Sequence, residues 1–222
     1  MGWPGGVPVG CHEIPLWRNV SGDNFHPSYV IVGYTVVENA NFQQISRDRW
    51  FMWENSRGDQ YAFRMEWRNG KRVRIDMARE ILGLSRSPGY GGDKADHINH
   101  NTLDNRKMEN LRVANSFQSQ ANRRIYCNSH QRFKCTKKDW NQYTSSVRSK
   151  GLGVWFSVPV EVEAALMYNY AAYLIWGEYA ELNVIPEDEM PTWERQWELY
   201  DMVIAKLRAK NVPFDESRIA QR

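Results

Sequence analysis

The amino-acid sequence predicts an α+β fold, in which short strands and short helices follow one another along 222 residues. Three patterns carry this prediction: a hairpin within residues 61–77, a strand–loop–strand–helix unit within 94–126, and three strands with an Ala-rich helix within 131–176. The composition, 42% hydrophobic and 25% charged, is typical of a globular protein. We therefore expect four regions, which are residues 1–93, 94–126, 127–186 and 187–222.

The first region is predicted to be rich in β-structure. Residues 1–28 carry Gly, Pro and Asn throughout and are expected to be irregular, whereas residues 29–37 are β-branched and aromatic and predict a buried strand. Asn69-Gly70 predicts a tight turn between two strands with alternating polarity. We expect this hairpin to have one buried face and one Arg-rich face, with a short helix over 77–84 after it. The apolar side chains of its first strand are Tyr61, Phe63, Met65 and Trp67.

The second region predicts a small ββα unit. Its strands are Ala95–Ile98 and Asn110–Ala114, a polar loop joins them, and Asn115 or Ser116 caps a helix that runs to Arg124. A unit of this size buries too little apolar surface to be stable alone. We therefore expect it to pack on the preceding hairpin.

The third and fourth regions predict a small sheet with helices. The strand-like stretches are Arg132–Lys138, Tyr143–Arg148 and Gly153–Val158, and the helix from Val160 to Trp176 ends at a glycine. Near the C-terminus, apolar residues recur at helical spacing and predict an amphipathic helix packed on a core, with a dimerisation helix as the alternative. These residues are Trp193, Trp197, Tyr200, Ile204 and Leu207.

Charge and cysteine content narrow the functional classes. Residues 94–150 carry a net charge of +8 and residues 161–201 a net charge of −9, so the chain presents one face to an anion. No apolar run approaches the ~20 residues of a membrane span, and we expect no membrane partner. Three cysteines fit a reducing, cytoplasmic location better than a disulfide framework. Because Cys127, His130 and Cys135 are three ligands rather than four, we expect no zinc site.

The stretch Asp96-His97 has the chemistry of a nuclease site. Phosphodiester hydrolysis needs a base for the attacking water and a cation at the leaving oxygen. His97 is suited to the base role because the pKa of histidine lies near neutrality, and Asp96 can hold Mg²⁺, which takes one or two protein oxygens. Asn110 can bond backbone groups across the loop and so fix His97. An ordinary surface histidine is the alternative reading of His97.

The ordered motifs resemble the HNH homing endonucleases, a ββα-metal nuclease family found often in bacteriophages. The matching stretches are Ala95-Asp96-His97-Ile98-Asn99, Leu103-Asp104-Asn105-Arg106, Glu109-Asn110-Leu111-Arg112 and Gln120-Ala121-Asn122-Arg123-Arg124. The resemblance implies a metal-dependent DNA endonuclease, with Asp96 as metal ligand, His97 as general base and Asn110 as the central Asn. The family's second metal ligand falls on Ser119, with Asn122 as a substitute.

Three departures from the HNH pattern keep a second interpretation open. Ser119 is a weak metal ligand, Asn99-His100 replaces the family's Asp-Gly, and Ala78 replaces its leader histidine. A decayed enzyme that still binds DNA, as a regulator or accessory factor, is therefore the alternative. A third hypothesis is a structural or inhibitor protein that uses its polarised charge to bind another protein.

A second resemblance covers residues 131–185. Val162-Glu163-Ala164-Ala165 and Ala180-Glu181-Leu182-Asn183 look like the helix of the plant Apetala-type DNA-binding domain, which lays a three-stranded sheet in the major groove. The resemblance implies that the acidic helix lies on the far side of this sheet. We expect a monomer that binds double-stranded DNA, uses Mg²⁺ or Mn²⁺ and has no small-molecule substrate. The predicted DNA contacts are Arg64, Arg72, Arg74, Arg106, Arg123, Arg124, Arg132, Lys134 and Arg148, with Lys137, Lys138 and Lys150 on the same strands or turns.

Overall fold

A computed structural model describes most of the chain and confirms the α+β class, with 30% helix and 34% strand. The chain forms two compact units, Met1–Ser116 and Phe117–Arg222. The four predicted regions stay a prediction. The described residues are 2–3, 6–21, 26–84, 92–125 and 131–219.

The first unit is built on a five-stranded sheet with the order β2-β1-β3-β4-β5. Neighbouring strands are antiparallel, except that β1 and β3 run parallel. Two short helices accompany this sheet: α1 (Asn39–Ile45) connects β2 to β3, and α2 (Met77–Ile81) follows β5. The strands are β1 (Cys11–Asn19), β2 (Tyr29–Glu38), β3 (Trp50–Glu54), β4 (Gln60–Arg68) and β5 (Lys71–Asp76).

Three predictions for this region are wrong. Residues 11–19 form β1 instead of irregular chain, and only the second half of β2 is buried. The hairpin also buries the face opposite to the predicted one. Ala62 lies opposite Met52 in the buried row, while the aromatic residues of β4 face outward and Trp67 is 70% exposed. The reason is tertiary, because β3 and β1 fix which row of β4 meets the core.

One hydrophobic core holds the first unit together. It contains Ile14, Leu16, Trp50 and Met52 from the sheet, and Leu111 joins it from a second, smaller sheet. That sheet pairs β6 (Lys94–His97) with β7 (Leu111–Ala114) in antiparallel register. The expectation that the ββα unit packs on the preceding region is therefore confirmed for its two strands.

The helix α3 (Ser116–Ala121) is shorter than predicted. It ends before Arg124, and Asn122 still donates its backbone N–H to the carbonyl of Gln118 at 3.1 Å. A six-residue helix makes few internal hydrogen bonds and depends on its surroundings for stability.

The second unit contains a three-stranded antiparallel sheet with the order β10-β9-β8. One face of the sheet packs on α4, which buries Ala164, Ala165 and Leu174 completely. The longer α5 also packs on this core, so its interpretation as a core-packed amphipathic helix is confirmed. The elements are β8 (Thr136–Asp139), β9 (Gln142–Ser149), β10 (Leu152–Val158), α4 (Glu161–Trp176) and α5 (Trp193–Ala209). Among the described residues, no helix has both the length and the apolar character needed to cross a membrane.

Candidate functional site

Asp96 and His97 are the last two residues of β6, where the chain leaves the strand and enters the loop. Their partners across the hairpin are Arg112 and Leu111. Both side chains are nearly covered, since Asp96 is 7% and His97 8% exposed. The strand end thus places a buried acid and a buried imidazole at consecutive positions of the chain inside the first unit.

A chain of hydrogen bonds fixes the orientation of the His97 ring. The His97 Nε2 lies 3.3 Å from Asn105 Oδ1, and Asn105 Nδ2 donates to Thr35 Oγ1 at 2.8 Å. The Thr35 hydroxyl donates in turn to the carbonyl of Leu103 at 2.6 Å. Because that carbonyl only accepts, the Thr35 proton is committed to it, and Thr35 Oγ1 must accept from the Asn105 amide. Asn105 therefore presents its oxygen to His97, and the ring carries its proton on Nε2.

Burial also sets the charge of this ring. Desolvation lowers the pKa of His97, and it outweighs the opposing effects of the Asn105 hydrogen bond and the nearby carboxylates of Asp96 and Asp104. The imidazole is neutral at neutral pH as a result. With its proton on Nε2, the neutral ring has its lone pair on Nδ1, and this is the form that a general base requires.

The Asp96 carboxylate is paired with a strand neighbour. Arg112 Nε donates to Asp96 Oδ2 at 2.9 Å, and the two side chains are 13% and 8% exposed. The pairing follows from the antiparallel register, which places the two residues directly opposite each other. Arg112 neutralises much of the charge that Asp96 would otherwise present to a cation.

Asn110 ties the two ends of the loop together. Its Oδ1 accepts from the backbone N–H of Asn99 at 2.8 Å, and its Nδ2 donates to the carbonyl of Asp104 at 2.7 Å. Asn110 is 1% exposed. These bonds satisfy backbone groups that the loop would otherwise leave unpaired.

A second loop contact involves a residue that was predicted to bind DNA. Arg106 donates to both carboxylate oxygens of Asp104 at 2.8 Å, and it also pairs with Glu109. Asn99 Nδ2 adds a bond to Asp104 at 2.9 Å. Burial alone would raise the pKa of Asp104, but the hydrogen bonds from Arg106 and Asn99 together outweigh burial, so the pKa lies below its usual value. Arg106 is therefore part of the loop's own ion pair, which does not favour its predicted role at phosphate.

The hairpin arginines divide between the two faces of the sheet. Arg64 lies on the inner face, where it pairs with Glu80 and Glu66 and its side chain is only 15% exposed. This placement does not favour Arg64 as a phosphate contact. Arg72 and Arg74 lie on the outer face, and Arg74 pairs with Asp76 at 2.7 Å.

The second unit presents an outward sheet face that fits the predicted DNA contacts in part. Arg148 is exposed, lies opposite Gly153 and stacks on the ring of Trp155. A side chain at Gly153 would clash with that ring, because its Cβ would lie 2.9 Å from the Trp155 ring. Lys137 shares the outward row through its pairing with Thr144. The acidic helix α4 packs on the other face, as predicted.

Two basic residues of this unit form hydrogen bonds or ion pairs with other residues of the same unit. Lys134 is partly buried and donates to the carbonyl oxygens of Ala121 and Glu181, and burial lowers its pKa to about 8. This placement does not favour Lys134 as a DNA contact, and its predicted role stays a prediction. Arg132 pairs with both carboxylate oxygens of Glu189.

The remaining predicted site residues lie in the second unit or outside the described residues. Asn122 is buried and Ser119 half-buried, and Arg123 and Arg124 are exposed. Their roles stay predictions. Of the three residues considered for zinc, Cys127 and His130 lie outside the described residues. In the described part of the chain, no group of three or more His, Cys, Asp or Glu side chains forms a metal site.

Sequence reasoning missed the residues that orient His97. Asn105 was noted only as part of the ordered motif, and its bond to the ring depends on the loop geometry. Thr35 lies in β2, far away in the chain, and no sequence signal connects it to the loop. Comparison with models of known families, with curated proteins and with solved structures found no match.

Proposed function

We propose that this chain is a divalent-metal-dependent DNA endonuclease of the HNH type. One observation carries the proposal: buried His97, whose Nε2 lies 3.3 Å from Asn105 Oδ1, follows Asp96 at the end of a strand. A proton acceptor and a carboxylate at one strand end are what phosphodiester hydrolysis requires of the protein.

In this proposal His97 takes the proton of the attacking water on Nδ1. Asn105 keeps the opposite nitrogen protonated, so the ring does not need to change tautomer before it accepts. Asn110 and Asp104 hold the loop that positions the ring. The products would be 5′-phosphate and 3′-hydroxyl ends.

The donor chemistry of Asp96 fits a hard cation. Mg²⁺ and Mn²⁺ prefer oxygen ligands, and Mg²⁺ is often held by one carboxylate, with substrate phosphates and waters filling the shell. Asp96 supplies such a carboxylate, with Arg112 as a competitor for Oδ2. When bound, the cation would supply stabilisation of charge on the leaving oxygen.

We propose that the outward sheet face of the second unit binds duplex DNA. Arg148 and Lys137 supply positive charge there, and Arg can pair with a guanine edge. Binding should weaken as salt rises, since each neutralised phosphate contributes a slope of about −0.9. A cytoplasmic location and a monomeric state remain part of the proposal.

Cleavage of supercoiled plasmid and of candidate target DNA, with Mg²⁺ or with EDTA, tests the catalytic proposal. His97→Ala should lower the rate by about 100-fold or more, the range of general-base catalysis. The matched control is His100→Asn, which changes another histidine of the same loop and suits the positive φ of that position. Equal loss in both variants would refute the assignment of His97, and cleavage that EDTA does not stop would refute the metal dependence.

A second candidate function is DNA binding without cleavage, and the Asp96–Arg112 ion pair favours it. An arginine fixed against the single metal-ligand candidate of the first unit reduces its affinity for a cation. Salt-dependent binding of duplex DNA that Arg148→Ala weakens, together with no cleavage in Mg²⁺ or Mn²⁺, would support this function over the first.

A further inference from the structure

The outer face of the five-stranded sheet carries a row of aromatic side chains. Neighbouring residues of a strand point to opposite faces. Leu16, Trp50 and Met52 are buried in the core, so Trp17 and Phe51 point outward from the same strands. The outward rings, which we call the aromatic band, are Trp17, Tyr29, Phe51, Trp53, Tyr61, Phe63 and Trp67.

Most rings of the aromatic band touch one another across strands. Ring centres are 5.5 Å apart for Tyr29 and Phe51, and 5.9 Å apart for Phe51 and Phe63. Trp53 and Tyr61 are 5.6 Å apart. The contacts therefore cross β2, β3 and β4, and five strands at a spacing of ~4.8 Å make a surface about 19 Å wide.

Two arginines lie against the rings of the aromatic band. The Arg49 guanidinium lies 5.1 Å from the centre of the Trp17 ring and 4.9 Å from that of Tyr29. Arg74 lies 4.4 Å from the Trp53 ring and 4.6 Å from the Phe63 ring. These cation–π contacts hold flat, positively charged groups among the rings.

Part of this band is open to solvent, and its other five rings are half-buried. Trp53 is 42% and Trp67 70% exposed, Ile31 beside Trp17 is 45% exposed, and Arg49 is exposed as well. A contiguous apolar surface of this kind is unusual on a monomeric protein unless it has a ligand.

The chemistry of the band favours one kind of ligand. A partner with flat rings and negative charge would match both the aromatic side chains and the two arginines, and unpaired nucleic-acid bases with their phosphates have both properties. A second copy of the same face would instead bring like charges together in a two-fold arrangement. Duplex DNA presents no unstacked base faces to such a surface.

We propose that the aromatic band binds single-stranded nucleic acid by stacking of unpaired bases on its rings. Arg49 and Arg74 would then contact base faces or phosphates. This inference is independent of the nuclease proposal, because it concerns a different face and a different form of nucleic acid.

Anisotropy of a labelled oligothymidine, measured at low salt in EDTA so that no cleavage occurs, tests the inference. Trp67→Ala and Trp53→Ala should each weaken binding about tenfold, the usual effect of removing one stacking ring. The matched control is Trp193→Ala, which removes a 66% exposed tryptophan from α5 and should leave binding unchanged. Arg49→Gln should lower the salt slope by about 0.7.

Several outcomes would overturn the inference. These are equal binding by the band variants and the native chain, tighter binding of duplex than of single strand, and a concentration-dependent dimer that Trp67→Ala abolishes. Oligouridine in place of oligothymidine separates RNA from DNA as the natural ligand, and preference for either one supports the inference. Trp67 is largely exposed, so its variant should fold, and Arg49→Gln gives a second test that leaves every ring in place.

Discussion

The hydrogen-bond chain from Thr35 through Asn105 to His97 makes a prediction that does not depend on cleavage. Replacing Asn105 with leucine keeps the branched shape of the side chain and removes both bonds of the amide. The imidazole then loses the acceptor that holds its proton on Nε2. Replacing Asn105 with aspartate keeps an acceptor at the same position and adds a charge.

The free-energy change follows from the geometry. The bond of 3.3 Å from His97 is long and contributes at the low end of the ordinary range, about 0.5 kcal/mol, while the bond of 2.8 Å to Thr35 contributes about 1 kcal/mol. A buried imidazole N–H without an acceptor costs about 1 kcal/mol more. We therefore expect Asn105→Leu to lower the free energy of unfolding by about 2–3 kcal/mol.

Long-range proton–nitrogen NMR correlations of the imidazole are the direct assay. In the native chain they should show a neutral His97 ring protonated on Nε2 at neutral pH. Asn105→Asp should retain that tautomer and raise the pKa of the ring, because a carboxylate stabilises the imidazolium. Asn105→Leu should give a mixture of tautomers, and any cleavage activity should fall by about 100-fold.

A ring that is protonated on Nδ1 in the native chain, or charged at neutral pH, would refute the reasoning. Identical pH profiles for Asn105→Leu and Asn105→Asp would refute it as well, because a purely structural asparagine would not change the titration of His97. Thr35→Val provides the remote control. It removes the hydroxyl that orients the amide, and Leu103 O still accepts from the Val36 backbone N–H at 3.1 Å.

Three further predictions concern stability. The pKa of His97 in the folded chain lies below its unfolded value of about 6.5, so the unfolded chain binds more protons. The free energy of unfolding should therefore fall as the pH drops below about 6.5, by up to about 1.4 kcal/mol per pH unit. In urea titrations, His97→Gln should flatten this pH dependence. Arg195 donates to both carboxylate oxygens of buried Glu163, at 2.8 and 2.9 Å. Arg195→Met should lower the free energy of unfolding by about 2 kcal/mol, less than for a fully buried pair because the Arg195 side chain is 36% exposed. In a double-mutant cycle, Glu163→Gln combined with Arg195→Met should restore part of this stability. Gly177 follows α4 with φ of 57° and ψ of −130°, and a Cβ added there would lie 2.6 Å from the Arg218 guanidinium. Gly177→Ala should therefore lower the free energy of unfolding by about 2 kcal/mol in thermal denaturation. The control is Gly6→Ala, at another positive φ with open space around it.

The second unit shows how far local pattern predicts structure. β9, β10 and α4 lie within one residue of their predicted limits, because turn residues and alternating polarity determine them locally. β8 begins at Thr136, four residues later than predicted. The hairpin β4–β5 forms as predicted, with Asn69 and Gly70 both at positive φ. Its buried face could not be predicted from the hairpin alone. Ala62, a small residue, faces the core only because Met52 and Trp50 of β3 fill the space opposite it.

The residues of the candidate site that lie close together in the chain could be predicted, whereas the contacts that depend on the tertiary structure could not. Asp96, His97 and Asn110 stand out because their residue types and order are specific to a chemistry. The partners of His97 and Asp96 arise from pairing that brings distant residues together: β2 supplies Thr35, and the register of β7 supplies Arg112. Both contacts change the chemistry of the site, one by fixing a proton and the other by neutralising a charge.

The Asp96–Arg112 pair bears on how a nuclease of this kind would bind its cation. In the proposed nuclease, a divalent ion at Asp96 would compete with an arginine whose Nε lies 2.9 Å from Oδ2, and the two positive groups would repel each other. A phosphate from DNA reduces this repulsion, because its oxygens bind the cation and its charge offsets that of Arg112. Cation and DNA would then bind together, with each raising the affinity for the other by the same factor. An acid paired in this way suits a site that holds its metal only when the substrate is in place.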